Sequence, residues 1–559
     1  MDNEKAIRIA ISNVLKEGLN DVFDRPFEVD LLKNDLFQKK VFALLKSSLN
    51  GNSFESLSVN KITHVLLPKN SAFDFRRCAL IQPLDLLKYN SIVLSIAEQI
   101  EKQRIPLSER RVFSYRFKPE KGYLFNKFYH MTSFQRRIRE KSKKKNVKFI
   151  VSCDISNFYD RLNLHRLENA LLSFGCEKNK VKTINELLLF WSNRDSYGLP
   201  VGSNGSRILA EASLIGVDKY LKEMGVDFIR FVDDYRLFAY DTTTAHYWLT
   251  ILIERLWIEG LNINKSKTKI EASIEYRKSQ TTQEKPKKKD ERERNPFKII
   301  AGYGGTVPTK FRELSDKEIA SYKLKNLDEL IEQIGKNDFI EADQIIELIK
   351  TIVSSEKYQY LVSTINASEK YPQLTPYVVD ALIKNAEKIP NDILQAIQGI
   401  FSTKLDSKKY IPEYLALAFT RLLGSNIFYN KAILLQYFRE LRRNAGAYIG
   451  RATLESLETQ LTREDAIEIR NSFDRSDLWE KRQIIRLVDK HLNEEEKRPW
   501  LKNLRFIENS DCFLQETAMP TKKDIKKKKP KGRNPTIPVQ TDSKKKEASA
   551  QTLAKDELS

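Results

Sequence analysis

Residues 231–239, FVDDYRLFA, set Asp233 and Asp234 side by side in an otherwise apolar and aromatic run. Unpaired carboxylates are costly to bury, so the pair should lie at a turn or face something cationic. A third carboxylate, Asp154, follows the apolar run VKFIVSC, as happens where a buried strand opens into a site at its carboxyl end. Between the two lies GLPVGSNGSRILAEASL, residues 198–214, a glycine-bearing loop feeding a helix, with Ser206 as candidate N-cap. Nothing else in the chain neutralises three clustered carboxylates well, but two divalent cations would. Two metals about 3.5–4 Å apart, bridged by carboxylates, stabilise both the attacking hydroxyl and the leaving pyrophosphate in nucleotidyl transfer.

Those side chains need elements to hold them. DFIRFVDDYRLFAY (227–240) reads as two strands joined at the aspartates, and GLNINKSKTKIEASI closes the region at about 275. Upstream, THVLLPK, RRCALIQPLD and RRVFSYRF read as short strands, and DLLKYNSIVLSIAEQIEKQR (85–104) as a helix. Helical patterns follow Asp154 at 161–174 and 180–192, and Ile7, Ile11, Val14 and Leu15 mark one face of an opening helix. Basic clusters run through RRIREKSKKK to residue 145, a pattern as common on a solvated face as at a binding surface.

Beyond the aspartates, KSQTTQEKPKKKDERERNP (278–296) is polar and charged and reads as a disordered insertion, and strand-like residues resume at FKIIAGYGG. From 315 to 510 apolar residues recur at helical spacing, as in Leu327, Leu330, Ile331 and Ile334 or Leu415, Ala418, Phe419 and Leu422. That succession suggests an α-solenoid of HEAT-like pairs, with an irregular bundle as the alternative. The last forty residues are low-complexity and basic, hence expected to be disordered.

Composition bounds the function. With 96 Lys and Arg against 75 Asp and Glu, the 559-residue chain carries a formal charge of +21, which favours a polyanionic partner. Cys78, Cys153, Cys176 and Cys512 form no CxxC pair, so neither a zinc site nor a disulfide framework is indicated. No window approaches eighteen apolar residues, the opening turns carry charge throughout, and Ser559 follows KDEL at 555–558. The expectation is a cytosolic protein with no membrane partner.

The order DISNFYD, GLPVGSNGSRILAEASL, FVDD and GLNINKSKTKIE resembles the palm of reverse transcriptases, where the corresponding blocks are motifs A, B, C and D. The resemblance implies that Asp154 and Asp233 ligand two Mg2+ ions, with Mn2+ as a substitute, that Asp234 is adjacent and less directly involved, and that the Ile155 carbonyl helps. Tyr159 falls where the family's steric gate excludes a ribose 2′-hydroxyl, which implies deoxynucleoside triphosphates. Gly202 and Ser203 would let the backbone approach the nascent pair. Lys267 matches the motif D lysine that protonates or neutralises the leaving pyrophosphate, and Arg76 and Arg77 are candidate fingers contacts to the triphosphate. Asp160, His165 and Tyr235 are given structural roles, with Asp160 at the end of the strand and able to cap the next helix.

Val201 stands where templated relatives carry the glutamine of PQG, and NGSR replaces their SPxL. With the block at 85–117, these departures make the chain similar to bacterial abortive-infection (Abi) and related defence-associated reverse transcriptases, and its helical region resembles that of the AbiK type. The implied fold is α+β: an N-terminal helical segment (1–60), reverse transcriptase fingers and palm (60–310), an all-α HEAT-like repeat domain (315–510) and a basic tail (520–559). The implied activity is protein-primed, untemplated DNA synthesis in antiphage defence, with the DNA product covalently attached, in a bacterial cytoplasmic homo-oligomer. One alternative is a defence reverse transcriptase copying a noncoding RNA. Another is a HEPN-type ribonuclease fused to the polymerase, from Arg486 and His491 in RLVDKH. A third is a silent palm carrying a protein-binding solenoid.

Overall fold

The computed structural model describes residues 1–19, 26–51, 53–68, 75–283, 310–336, 342–405, 411–441, 447–505 and 511–519. Most of the charged insertion at 278–296, the strand-like FKIIAGYGG and the basic tail at 520–559 lie outside them. Among the described residues no helix is long and apolar enough to cross a membrane.

Among the described residues eight strands form three sheets: β1 (Thr63–Pro68), β2 (Phe75–Leu80), β3 (Phe117–Glu120), β4 (Tyr123–Phe125), β5 (Phe149–Asp154), β6 (Phe228–Phe231), β7 (Asp234–Ala239) and β8 (Lys269–Ala272). The largest sheet is antiparallel throughout, in the order β6-β7-β5-β8. Ile150, Val151, Ser152 and Cys153 are all buried, so β5 lacks the one-sided alternation of a surface strand. Helix Thr242–Ile258 packs on β5 and β7, and helix Asn204–Glu223 packs against Pro83–Gln103, Leu164–Ser173 and Thr242–Ile258. Because β5 and β7 are held in register on both flanks, their aspartate ends are held together.

β1 and β2 form a hairpin joined to the glycine-bearing loop, where the Ala79 N–H donates to the Val201 carbonyl at 2.9 Å. RRVFSYRF is not a continuous strand. Val112 makes one bridge to Arg230, and regular pairing starts only at Phe117. The reason is local: Arg110 and Tyr115 take left-handed φ of 51° and 41°, which no strand tolerates, and Arg116 turns inward to Glu101. Two smaller expectations also shift. Ser203, not Ser206, is the N-cap, accepting from Ser206 N at 3.1 Å, and Asp160 lies within helix Phe158–Arg161 instead of ending the strand.

The region after residue 310 is helical. Alternate helices stack on one another: Thr375–Asn385 on Glu413–Leu423, then Ala447–Leu457, then Leu478–His491, while Asn391–Leu405, Lys431–Leu441 and Arg463–Asn471 pack beside them. It has a core of its own, yet Tyr448, Trp479, Cys512 and Phe513 join the N-terminal core, and Met1–Ala518 forms one compact unit. The joint is ionic. Glu28, fully buried, accepts from Arg451 at 2.9 Å and Arg482 at 2.8 Å, and Arg482 also donates to Gln82 at 2.8 Å. Removing one member of such a group strands a buried charge, so Glu28→Ala should cost about 3–5 kcal/mol of stability, read as a lowered urea midpoint of the full chain.

Candidate active site

The β6–β7 turn consists of Val232 and Asp233. Val232 has φ +56°, which for a β-branched residue costs roughly 1–2 kcal/mol. What over-determines this conformation is Arg230, whose fully buried guanidinium donates to the Val232 carbonyl at 2.8 Å. That guanidinium is fixed in turn by Asp218 at 2.5 Å and Glu211 at 3.0 Å, both on helix Asn204–Glu223. Glu211 accepts further from Arg104 at 2.6 Å and Ser114 at 2.5 Å, and the Tyr235 hydroxyl donates to Asp218 at 3.2 Å. Burial works against the charge of Arg230, but Asp218 and Glu211 outweigh it and raise its pKa. The turn therefore rests on a satisfied ionic network.

Register then assembles the carboxylates. Asp154 lies directly opposite Asp234 in the β5–β7 ladder, and the Ile155 N–H donates to the Asp233 carbonyl at 3.2 Å. Lys267, in a 3-10 turn before β8, brings Nζ to 3.3 Å from Asp154 Oδ2. Asn264 fixes the same aspartate from two sides, its N–H donating to the Asp154 carbonyl at 2.7 Å and its Nδ2 to Oδ2 at 3.4 Å. Arg236 donates to Asp234 Oδ1 at 3.4 Å. Sequence reasoning assigned no role to Asn264, Arg236 or Arg230. Asn264 sits three residues before Lys267 in the same block, and a charge inside the apolar FIRF was itself a sign of a buried counter-ion.

Burial raises the Asp154 carboxyl; Lys267 opposes the rise and Asp234 adds to it. Asp233 is pushed well above the usual carboxylate range by burial and by its neighbours Asp154 and Asp234. Two carboxyls whose ionisation burial opposes, Asp154 and Asp233, with Asp234 and one lysine beside them, are a donor set that a hard divalent cation would relieve. Among the described residues no group of three or more His, Cys, Asp or Glu side chains is already closed around an ion-sized space. A hard cation such as Mg2+ is held by one or two carboxylates plus water and substrate phosphates. The sign of the pH effect follows. A carboxyl raised in the folded state adds stability below its unfolded pKa and loses it as pH climbs through the folded value. Magnesium binds only the ionised form, so the rise in Tm on adding Mg2+ should grow as pH climbs above the ordinary carboxylate range. Thermal melts with and without the ion check it, and Asp233→Asn should flatten the trend.

Tyr159 is buried in helix Phe158–Arg161, its carbonyl accepting from Leu199 N at 2.9 Å. Gly202 has φ +114°, a conformation glycine alone adopts freely. Ser203 is buried, and its hydroxyl is engaged with Ser206 in the helix cap. Arg76 and Arg77 lie on β2; Arg77 is exposed and bonded to His64 at 3.2 Å, where burial and Arg77 lower the imidazole to about 4. His165 meets Ser196 at 3.3 Å. Arg486 and His491 converge on Glu458, the first on its carboxylate and the second on its carbonyl, both at 2.8 Å. That is how a structural ion pair within the helical stack is built.

Residues 68–298 match the family model described as reverse transcriptase (RNA-dependent DNA polymerase). The chain therefore carries a reverse transcriptase domain, the mark of a nucleotidyltransferase enzyme. Among solved structures it is similar to telomerase from Candida albicans in complex with a TWJ fragment of telomeric RNA, at 13% identity and a TM-score of 0.29 over 72% of this chain. It is also similar to apo telomerase from Candida tropicalis, at 13% identity and 0.29 over 73% of this chain. It spans 66% of the length of the first and 67% of the second. No curated protein matches it in sequence.

Proposed function

We propose that this chain is a reverse transcriptase-like DNA polymerase of bacterial abortive-infection defence, which adds deoxynucleotides to a protein hydroxyl without a conventional template and ends covalently joined to its DNA. The observation that carries the chemical part is the meeting of Asp154, Asp233, Asp234 and Lys267 at one strand end. Two Mg2+ ions, when bound by Asp154 and Asp233 with the Ile155 carbonyl, supply Lewis acidity to the triphosphate and lower the pKa of the attacking hydroxyl. The hydroxyl gives its proton to solvent as its oxygen forms the new bond to the α-phosphorus and the bond to pyrophosphate breaks. Lys267 carries charge or a proton toward the departing oxygen, while Asn264 holds Asp154 in place. Arg236 leaves Asp234 partly neutralised and less free to ligand. Tyr159 would stack under the sugar as the gate, and Arg76 and Arg77 would meet the phosphates.

Untemplated synthesis is supported by Val201, a buried apolar side chain whose carbonyl is already committed to β2. The alternate stacking of helices supports a HEAT-like repeat domain, and we include a cytoplasmic homo-oligomer in the reading. Purified full-length protein is incubated with Mg2+ and each labelled deoxynucleotide, without nucleic acid, and run on a denaturing gel before and after protease. Label that stays on the protein until proteolysis is the expected result. Incorporation that begins only when RNA is supplied would establish a templated enzyme instead.

A further inference from the structure

The basic run RRIREKSKKK (136–145) is sorted by the fold into two classes of side chain. Helix Met131–Ser142 buries Phe134, Ile138 and Lys141 and turns Thr132, Arg136, Arg139 and Lys143, at helical spacing, outward. Lys144, Lys145 and Lys148 continue the exposed row. The nearby acids are already engaged: Glu140 with Arg137 at 3.1 Å and Arg110 at 3.4 Å, Asp227 with Lys141. Arg136, Lys143, Lys144, Lys145 and Lys148 have no carboxylate partner among the described residues. A solvated face would interleave its charges; this one keeps an unbalanced positive row.

The row also has a direction. Phe134 packs 5.8 Å from Phe231, beside the aspartate turn, and Lys141 reaches Asp227 just ahead of β6, so the helix runs antiparallel to β6. From Phe134 to Lys143 the axis rises about 14 Å, so the row of cations leads that far from the turn. At the near end Phe128 is 67% exposed, on a tight turn that holds it in solvent: its N–H donates to Asn126, and Tyr129 is anchored to Leu107 at 2.6 Å and stacked on Phe113. Lys127 lies 5.3 Å from the Phe128 ring.

The geometry points to a track for one unpaired strand of nucleic acid, leading from the aspartate turn along the outer face of this helix. Its phosphates lie on Arg136, Lys143 and Lys145, and one base stacks on Phe128. A cationic groove line with an exposed aromatic is how single strands are held without sequence readout. The inference rests on the polymerase reading only for the end at which the strand enters the site.

The test is fluorescence anisotropy of dye-labelled 20-nucleotide oligo(dT) and oligo(rU) with the full chain carrying Asp233→Asn, so that binding is read without synthesis. Neutralising Arg136, Lys143 and Lys145 to Gln should weaken binding by at least about tenfold and reduce the slope of log affinity against log salt by about 2. Phe128→Ala should weaken it by at least about fivefold with the slope unchanged. Neutralising Lys178 and Lys182 on helix Lys178–Trp191 should change it less than twofold. Loss confined to oligo(dT) assigns the track to DNA, loss confined to oligo(rU) to RNA, and loss of both to either strand. Unchanged affinity in the triple variant, equal loss at Lys178 and Lys182, or capture only by phosphatidylserine vesicles would overturn the proposal. Binding on this face with no nucleotide incorporation by the unmutated chain would retain the track and reject the polymerase reading.

Discussion

Asp233→Asn will reduce deoxynucleotide incorporation by about a hundred- to a thousandfold, the scale on which single preorganised electrostatic groups act. It will do so without lowering the Tm of the metal-free protein. The two halves of this expectation have one cause. Asp233 is crowded by burial, Asp154 and Asp234, all of which oppose its negative charge. An amide of the same shape ends that repulsion and also ends metal binding. Asp154→Asn should lose activity equally but gain less stability, because Asp154 is already compensated by Lys267 at 3.3 Å. Single-turnover incorporation and thermal melts of the same preparations separate the effects. Retention of incorporation within tenfold in Asp233→Asn would reject the assignment of these carboxylates to the metals, and a large fall in Tm would show that the residue serves folding instead.

The stretch FVDDYRLFA was legible because its oddity is local: two carboxylates in an apolar run require a turn, and β6 and β7 flank that turn. Asp154 could be placed on the same ground, at the end of a short apolar strand, whereas Lys267, in an exposed turn ahead of β8, was placed only by the resemblance of NKSKT to motif D. The supports of the turn were not legible. Glu211 and Asp218 sit mid-helix in LAEASLIGVDK, where a carboxylate normally faces water, and nothing local says that Arg230 will come to them. Glu28 and Arg451 are 423 residues apart, and which buried charges pair across that distance is a property of packing. RRVFSYRF misleads for the same reason. Its alternation suits a strand, but Arg116 and Ser114 are drawn to Glu101 and Glu211 on helices, and the backbone bends to deliver them.

Arg230 is accordingly a positioning residue, and its replacement should show two separable losses. Arg230→Met leaves Asp218 buried with only the Tyr235 hydroxyl, which should destabilise the protein by about 3–5 kcal/mol. Adding Asp218→Asn removes the stranded charge, keeps an acceptor for Tyr235, and should recover most of that stability, since Glu211 retains Arg104 and Ser114. Incorporation should not recover with it. The Val232 carbonyl has lost its donor, nothing holds a β-branched residue at φ +56°, and the turn relaxes toward an ordinary conformation that moves Asp233. A displacement of about 1 Å costs on the order of a hundredfold in rate, so the stable double variant should remain about that slow. Placing Val232→Gly in the double variant tests the link directly, because glycine adopts positive φ without a clamp and should restore part of the rate. If the double variant incorporates nucleotide at the parental rate, Arg230 serves stability alone. If the glycine variant recovers rate while Tm stays put, the strained turn is what sets the aspartates in place.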